Sequence, residues 1–353
     1  MKTVLIVFGG RSSEYEVSLR SACAVIDNID KSKYSVELLG ITKEGKWLYY
    51  QGSTEEIFNN TWYKNESCVP AIVSPDYSDK AVILLGNPIK KIYPDLVFPV
   101  LHGKNGEDGT IQGLFELAGI PYVGCDMLSS AMCMDKAVTN MTADYYSIKQ
   151  AKWLECLKSE YAKDKDTIRS RAKQYLSYPL FVKPANAGSS VGVSKVSDDE
   201  SFDIAMQKAF QEDYKVVIEE AIVGIEVECA VLGHNEHTAS VVGEIVPCAE
   251  FYDYDAKYVN DSELYIPARL SNEVSEKIRA QALRVFKVLG CSGLSRVDFF
   301  YNKDSDELFF NEINTIPGFT SISMYSKLFG EYGISYSELL DRLFIAAEEK
   351  ASR

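Results

Sequence analysis

Leu294-Ser295-Arg296-Val297-Asp298-Phe299-Phe300-Tyr301, a turn through Asn302–Asp306, and then Glu307–Asn314 form the stretch that decides the fold. Both arms read as strands, and a hairpin centred on Ser305 sets Asp298 opposite Glu312 and Arg296 opposite Asn314. The two-residue alternation of a strand then puts all four side chains on one face. Directly opposed carboxylates have Cβ atoms roughly 4.5–5.5 Å apart and repel unless a cation lies between them. Two carboxylates and an amide oxygen suit Mg²⁺, which completes its shell with water and phosphate oxygens. A solvated face of an amphipathic hairpin is the competing reading. The neighbouring Phe299, Phe300, Phe309 and Phe310 favour a buried hairpin, and buried carboxylates beside an arginine require a purpose.

Upstream, Tyr178-Pro179-Leu180-Phe181-Val182-Lys183-Pro184 runs into Ala185-Asn186-Ala187-Gly188-Ser189-Ser190-Val191-Gly192-Val193. A strand delivers a lysine, and amides and hydroxyls of the Gly/Ser loop can close over phosphate oxygens. The order differs from a Walker A loop, because the lysine comes first and a strand follows. A glycine-rich flap over a nucleotide fits, as does an ordinary hairpin. Val216–Glu220 is a strand running into a short linker whose backbone groups can meet an adenine edge, with Glu226 placed for ribose hydroxyls; solvated strand-end carboxylates are the more ordinary reading.

At the amino end, Phe8-Gly9-Gly10-Arg11-Ser12-Ser13-Glu14-Tyr15-Glu16-Val17-Ser18 is a strand, a loop and a helix start without the GxGxxG of a dehydrogenase. Glu14 and Glu16 would repel a pyrophosphate there; they suit an ammonium group, or serve as carboxylates favoured by the helix dipole. His102 follows the strand Asp95–Leu101, where side chains point into the crevice of an open α/β sheet. His234 and His237 read as a surface turn, and no GxSxG elbow supports hydrolase chemistry.

The chain has 353 residues, enough for two or three domains. Its first third alternates in the βαβ manner: strands Thr3–Phe8, Tyr34–Ile41 and Asp95–Leu101, with helices Glu16–Ile29 and Thr110–Ala118. Continuous apolar strands suit a parallel sheet. Residues 52–92 are an insertion of unassigned structure. Further on come helices over Ser129–Tyr145, Asp198–Phe210 and Glu273–Leu289, giving α/β followed by α+β. A formal net charge of −14 argues against a nucleic-acid partner. No apolar run is long enough for a membrane span, and eight cysteines without a CxxC pair read as reduced core thiols, so the cytoplasm is expected.

Together these segments resemble the D-alanine–D-alanine ligase family within the ATP-grasp superfamily. The similarity extends through Met134-Asp135-Lys136, Phe251–Tyr258 and Asn311-Glu312-Ile313-Asn314-Thr315-Ile316-Pro317-Gly318. The resemblance implies a three-domain ATP-grasp fold: an N-terminal parallel-sheet substrate domain (1–124), then two ATP-clasping domains (125–218 and 219–353). It implies that Lys136 and Lys183 hold phosphates under Ser189 and Ser190. Glu219, Ile222 and Glu226 would hold adenine and ribose, with Phe251 on the base. Asp298, Glu312 and Asn314 would bind two Mg²⁺ ions, replaceable by Mn²⁺.

By the same resemblance Glu14 takes the ammonium of a first D-alanine and His102 lies beside that substrate. Arg296 and the Gly318 amide stabilise an oxyanion, while Lys257 meets the γ-phosphate and the second substrate, with Ser323 also on that substrate's carboxylate. The flap and the Phe251–Tyr258 loop would exclude water. The implied activity is D-alanine–D-alanine ligation through a D-alanyl phosphate, a step in making the cell-wall precursor dipeptide, by a homodimer. Asn60-Thr61-Trp62 and the insertion are similar to VanG-type D-alanine–D-serine ligases of glycopeptide resistance. Tyr258 is the residue type of amino-acid-accepting members, and apolar Met324 departs from the arginine of resistance branches and favours D-alanine. A nucleotide-binding regulator without turnover, or another ATP-grasp enzyme such as a carboxylase subunit, are the competing classes; the complete set Lys183, Arg296, Asp298, Glu312 and Asn314 weighs against the regulator.

Overall fold

The strand Lys2–Gly9 is fully buried from Val4 to Phe8, as a strand covered on both faces must be. It pairs in parallel with Tyr34–Ile41 on one side and Leu96–Val100 on the other. The structure, a computed structural model, describes residues 1–246, 263–320 and 322–352. Here the sheet departs from the expected parallel arrangement. The chain from Trp47 to Ile92 adds four antiparallel strands at one edge, giving a mixed seven-stranded sheet. The insertion therefore extends the sheet. The connections 42–46, 74–81 and 85–89 are too short for a parallel crossover, while the longer 51–68 connection, which carries the helix Thr54–Phe58, also returns antiparallel.

Trp62 fixes the insertion to the rest. It is fully buried, stands edge-on to Phe8 with ring centroids 4.9 Å apart, and donates its indole N–H to the Tyr15 hydroxyl at 3.1 Å. Tyr15 in turn donates to Asn60 Oδ1 at 2.9 Å, and burial pushes its phenol up to about 12. Trp62→Ala is expected to cost about 3–5 kcal/mol in urea unfolding, because it opens a core cavity and orphans a buried hydroxyl. A loss below 1 kcal/mol would show that the insertion is not part of the N-terminal core.

The central sheet has four antiparallel strands, in the order Ser194–Val196, Leu180–Pro184, Lys215–Glu220 and Trp153–Leu157. The helix expected over Ser129–Tyr145 is two helices, Met127–Met134 and Lys136–Tyr145. Asp135 breaks it: its backbone is extended and its carboxylate accepts from the amides of Ala137 and Val138 at 3.0 and 3.2 Å, an N-cap where continuation was expected. It also pairs with Lys215 of the central sheet.

The third sheet has five antiparallel strands, ordered Glu263–Tyr265, Thr238–Val246, Ile225–Gly233, Gly293–Asn302 and Glu307–Asn314. Its helices Met324–Tyr332 and Tyr336–Ala351 share one apolar core with the N-terminal sheet, through Phe98, Phe319, Tyr325 and Phe344. That shared core sets the Asn314–Phe319 loop against Glu14 and His102. His234 differs from expectation. The tight return after Gly233 folds it inward, where it is buried with Nδ1 2.8 Å from Ser292 Oγ.

Candidate active site

The central hairpin carries the expected pairs, Asp298 with Glu312 and Arg296 with Asn314. They are reached by a different route. The turn is tighter than a hairpin centred on Ser305, pairing Asn302 with Glu307 and Phe299 with Phe310. A bulge at Asn311 supplies the extra residue that restores the pairing at Asp298. Arg296 donates from Nε and Nη2 to the two oxygens of Asp298 at 2.8 and 2.6 Å, and its Nε also lies 3.1 Å from Glu228 Oε1. Asn314 Nδ2 donates to Asp298 Oδ2 at 3.1 Å. Burial opposes the charge on Arg296, but the carboxylates of Asp298 and Glu228 outweigh it and hold the guanidinium well above its ordinary pKa.

A cavity of about 1140 Å³ opens in front of this hairpin. It is bordered by Glu14, His102, Lys136, Lys183, Ser189, Ser190, Glu219, Ile222, Glu226, Arg296, Glu312, Asn314, Gly318, Ser323 and Met324. Segments from every part of the sequence thus meet at one site. Asp298 is buried behind Arg296 and does not border it. Phe251, Lys257 and Tyr258 lie outside the described residues.

On the central side, Lys183 Nζ sits 2.6 Å from Glu219 Oε2, and Asn140 Nδ2 donates to Glu219 Oε1 at 3.2 Å. Lys136 Nζ donates to the Ala187 carbonyl at 2.8 Å, which ties the helix Lys136–Tyr145 to the base of the glycine-rich loop. Ser189 and Ser190 both have positive φ, 49° and 58°, a costly conformation that shapes the loop over the cavity. The Ser189 hydroxyl donates to Glu14 Oε1. Glu14 is held between two glycines. A Cβ on Gly188 would come within 2.6 Å of its Oε2, and one on Gly103 within 2.5 Å.

His102 is buried, with Nδ1 2.9 Å from the Ile316 carbonyl and Nε2 3.0 Å from Ser21 Oγ. A carbonyl can only accept, so Nδ1 carries the proton and Nε2 accepts from the Ser21 hydroxyl, whose oxygen takes the Phe319 N–H at 3.1 Å. Burial lowers the His102 pKa and keeps the ring neutral. A histidine depressed in the folded state gives stability that is present above the unfolded value near 6.5 and lost as pH falls through the folded value. Thermal unfolding followed from pH 7.5 down to 5.5 is therefore expected to show a fall that His102→Gln flattens. An equal fall in both proteins would remove His102 as its source.

Glu107 and Glu228 escaped the sequence reading. Glu107 accepts from the Gly103 amide at 3.1 Å, and burial together with the nearby Glu14 charge raises its pKa well above the carboxylate range. Glu228 faces Asp298 across the neighbouring strand. Its alternation with Glu226 was visible, but the strand pairing that matters was not.

Oxygen donors dominate the hairpin face. Glu312 and Asn314 border the cavity with Asp298 behind them, a hard donor set of the kind Mg²⁺ takes. Each Asp298 oxygen already accepts one N–H of Arg296, and a carboxylate has lone pairs to spare for a cation beside it. Among the described residues no group of three His, Cys, Asp or Glu side chains is arranged for a metal, so such an ion would depend on water and phosphate for much of its shell.

Comparison with known proteins settles the family. The D-ala D-ala ligase N-terminus description matches residues 3–125, and the D-ala D-ala ligase C-terminus description matches 143–345. The chain belongs to the D-alanine–D-alanine ligase family. It is 52% identical over 349 residues to the D-alanine–D-alanine ligase of Caldicellulosiruptor bescii, covering 98% of this chain and 95% of that one. Among solved structures it is similar to the VanG D-Ala:D-Ser ligase from Enterococcus faecalis, with a TM-score of 0.90, 45% identity, and 98% and 99% of the two chains covered. It is also similar to the D-alanine–D-alanine ligase from Coxiella burnetii, with a TM-score of 0.88, 32% identity, and 99% and 95% covered. Members of this family are ATP-dependent ligases with the ATP-grasp fold, and this chain shares that fold. No helix among the described residues is long and apolar enough to cross a membrane.

Proposed function

We propose that the chain joins D-alanine to a second D-amino acid, D-alanine before D-serine, with ATP consumed to ADP and phosphate through a D-alanyl phosphate. The observation that carries this reading is the single cavity on which Glu14, Lys136, Lys183, Arg296 and Glu312 converge. An ammonium acceptor, two phosphate-binding lysines, an oxyanion partner and a metal-type carboxylate are the groups that acyl-phosphate chemistry requires.

In this reading Lys136 and Lys183 neutralise phosphate oxygens, and the Ser189–Ser190 flap closes above them. Glu219, Ile222 and Glu226 hold adenine and ribose, and Phe251 and Lys257 complete the nucleotide site. Glu14 takes the ammonium of the first D-alanine, and its link to Ser189 couples that substrate to flap closure. Neutral His102 packs beside the first substrate and fixes the Ile316 carbonyl. Arg296 and the Gly318 amide meet the oxyanion formed when the second amine attacks; a fixed donor of this kind is worth on the order of 10²–10³-fold in rate. Mg²⁺ at Glu312, Asn314 and Asp298 would supply charge neutralisation at the transferring phosphoryl group. Tyr258 belongs with the loop that shields the intermediate from water.

Ser323 and Met324 define the second-substrate end. Thr320 donates its amide to Ser323 Oγ at 3.0 Å, and Met324 is buried at the cavity wall. An apolar neighbour offers a D-serine hydroxyl no partner, yet an apolar pocket rejects an added hydroxyl only about 10²-fold. The similarity to the VanG structure keeps D-serine as the second reading. With limiting D-alanine and equal excess of D-serine and D-lactate, mass analysis is expected to find D-Ala–D-Ala as the main product and D-Ala–D-Ser as the minor one. A predominant D-Ala–D-Ser product would move the chain to the resistance branch.

In this reading the chain divides into three units, with the break expected at 218/219 moved to the Ala221–Gly224 linker, a reading supported by the pairing of the strand Lys215–Glu220 with Leu180–Pro184. Two copies would pair through the N-terminal unit, where Ile72, Leu85, Ile89 and Tyr93 are exposed. Sedimentation tests that pairing. The enzyme would work in the cytoplasm, where D-alanine and ATP meet.

A further inference from the structure

Buried thiols lie where the cavity meets the C-terminal core, and none of the roles above uses them. Cys133 is in the last turn of the helix Met127–Met134 and borders the cavity. Cys291 follows the helix Asn272–Val288, and its sulfur is 3.6 Å from that of Cys133. Cys125 also neighbours Cys291 and accepts from the Ser292 amide at 3.5 Å. All three are free thiols.

We propose that Cys133 and Cys291 form a redox-sensitive pair, which a peroxide entering the nucleotide cavity converts to a disulfide that impairs nucleotide handling. Cys133 ionises and its sulfur attacks one peroxide oxygen, the O–O bond breaks, and a sulfenic acid and hydroxide result, the hydroxide taking up the proton Cys133 released and leaving as water. The Cys291 sulfur then attacks the Cys133 sulfur, and the S–O bond breaks. The departing hydroxide takes the Cys291 proton as a second water. Two thiols lose two electrons and the peroxide gains them. The order follows from position. Cys133 reaches the cavity, whereas the neighbouring Cys125 and Cys133 sulfurs, with burial, hold Cys291 as a protonated thiol.

The consequence is mechanical. A disulfide bond is about 2.05 Å long, so the two sulfurs must close by roughly 1.5 Å. Two and three residues after Cys133 come Asp135, which pairs with Lys215, and Lys136, which donates to the Ala187 carbonyl under the flap. Misplacement on this scale at a positioning residue costs on the order of 10²-fold in rate. The activity arm rests on the ligase reading, while the chemical arm does not.

The full chain is treated with hydrogen peroxide, digested without reduction and mapped by mass, and D-alanine-dependent phosphate release is followed in parallel. The expected result is a Cys133–Cys291 linked peptide lighter by two hydrogens, a 10- to 100-fold loss of activity, and recovery with dithiothreitol. Cys291→Ser is expected to keep its untreated activity but to accumulate Cys133 sulfinic acid and lose that recovery. Excess Mg·ATP is expected to slow linkage in the unsubstituted chain, which keeps the test independent of the variant's folding. A Cys125–Cys291 link, oxidised Cys133 with no link, linkage unaffected by Mg·ATP, or a linked enzyme of full activity would each overturn the proposal.

Discussion

Replacing Arg296 with methionine is expected to cut D-alanine-dependent phosphate release on the order of 10²–10³-fold and to lower stability by about 3–5 kcal/mol. Two effects coincide at this residue. Its guanidinium touches both oxygens of Asp298 and one of Glu228, and both carboxylates are almost wholly buried. Removing the cation leaves two like charges facing each other across paired strands without the guanidinium that neutralises them. The same side chain borders the cavity, where the proposed mechanism has it meet an oxyanion. Arg296→Lys separates the effects. A lysine restores charge but not the two-pronged contact, so stability should recover in large part while turnover does not. Equal recovery of both would make Arg296 a structural residue alone.

Glu312→Gln carries the second large effect. Glu312 is paired with Asp298 on the strand but, unlike it, borders the cavity, so the change removes a charge without burying an orphan. The fold should persist, with thermal unfolding of the nucleotide-free protein little changed. Turnover should fall on the order of 10²–10³-fold, and the Mg²⁺ concentration for half-maximal rate should rise. An unchanged Mg²⁺ requirement would place the metal elsewhere.

The pairing of Asp298 with Glu312 was legible because alternation and two aromatic pairs fix a hairpin locally. It emerged through a bulge at Asn311 that the residues do not announce, since a one-residue insertion leaves the alternation on either side intact. Lys183 with its Gly/Ser loop and Glu14 at a helix start were legible for the same reason: each is a short motif whose chemistry is local. Glu228 was not. Its role depends on which strand lies beside Gly293–Asn302, a long-range pairing without a sequence signature. The break at Asp135 was hidden because an aspartate that caps one helix looks, in sequence, like a polar residue within a longer one. His234 was misplaced because a turn signal marks where the chain reverses, not which side of it is covered. The edge strands of the insertion were missed because their polar composition resembles a loop until Trp62 and its neighbours are seen to bind them to the core.

The most direct measurement is phosphate release from Mg·ATP with and without D-alanine, using folded protein whose nucleotide binding has been verified. A convergent acyl-phosphate site predicts release that requires D-alanine and yields a D-alanyl dipeptide in equal amount. ATP binding with no D-alanine-dependent release would contradict it and leave a nucleotide-binding regulator built on a ligase fold.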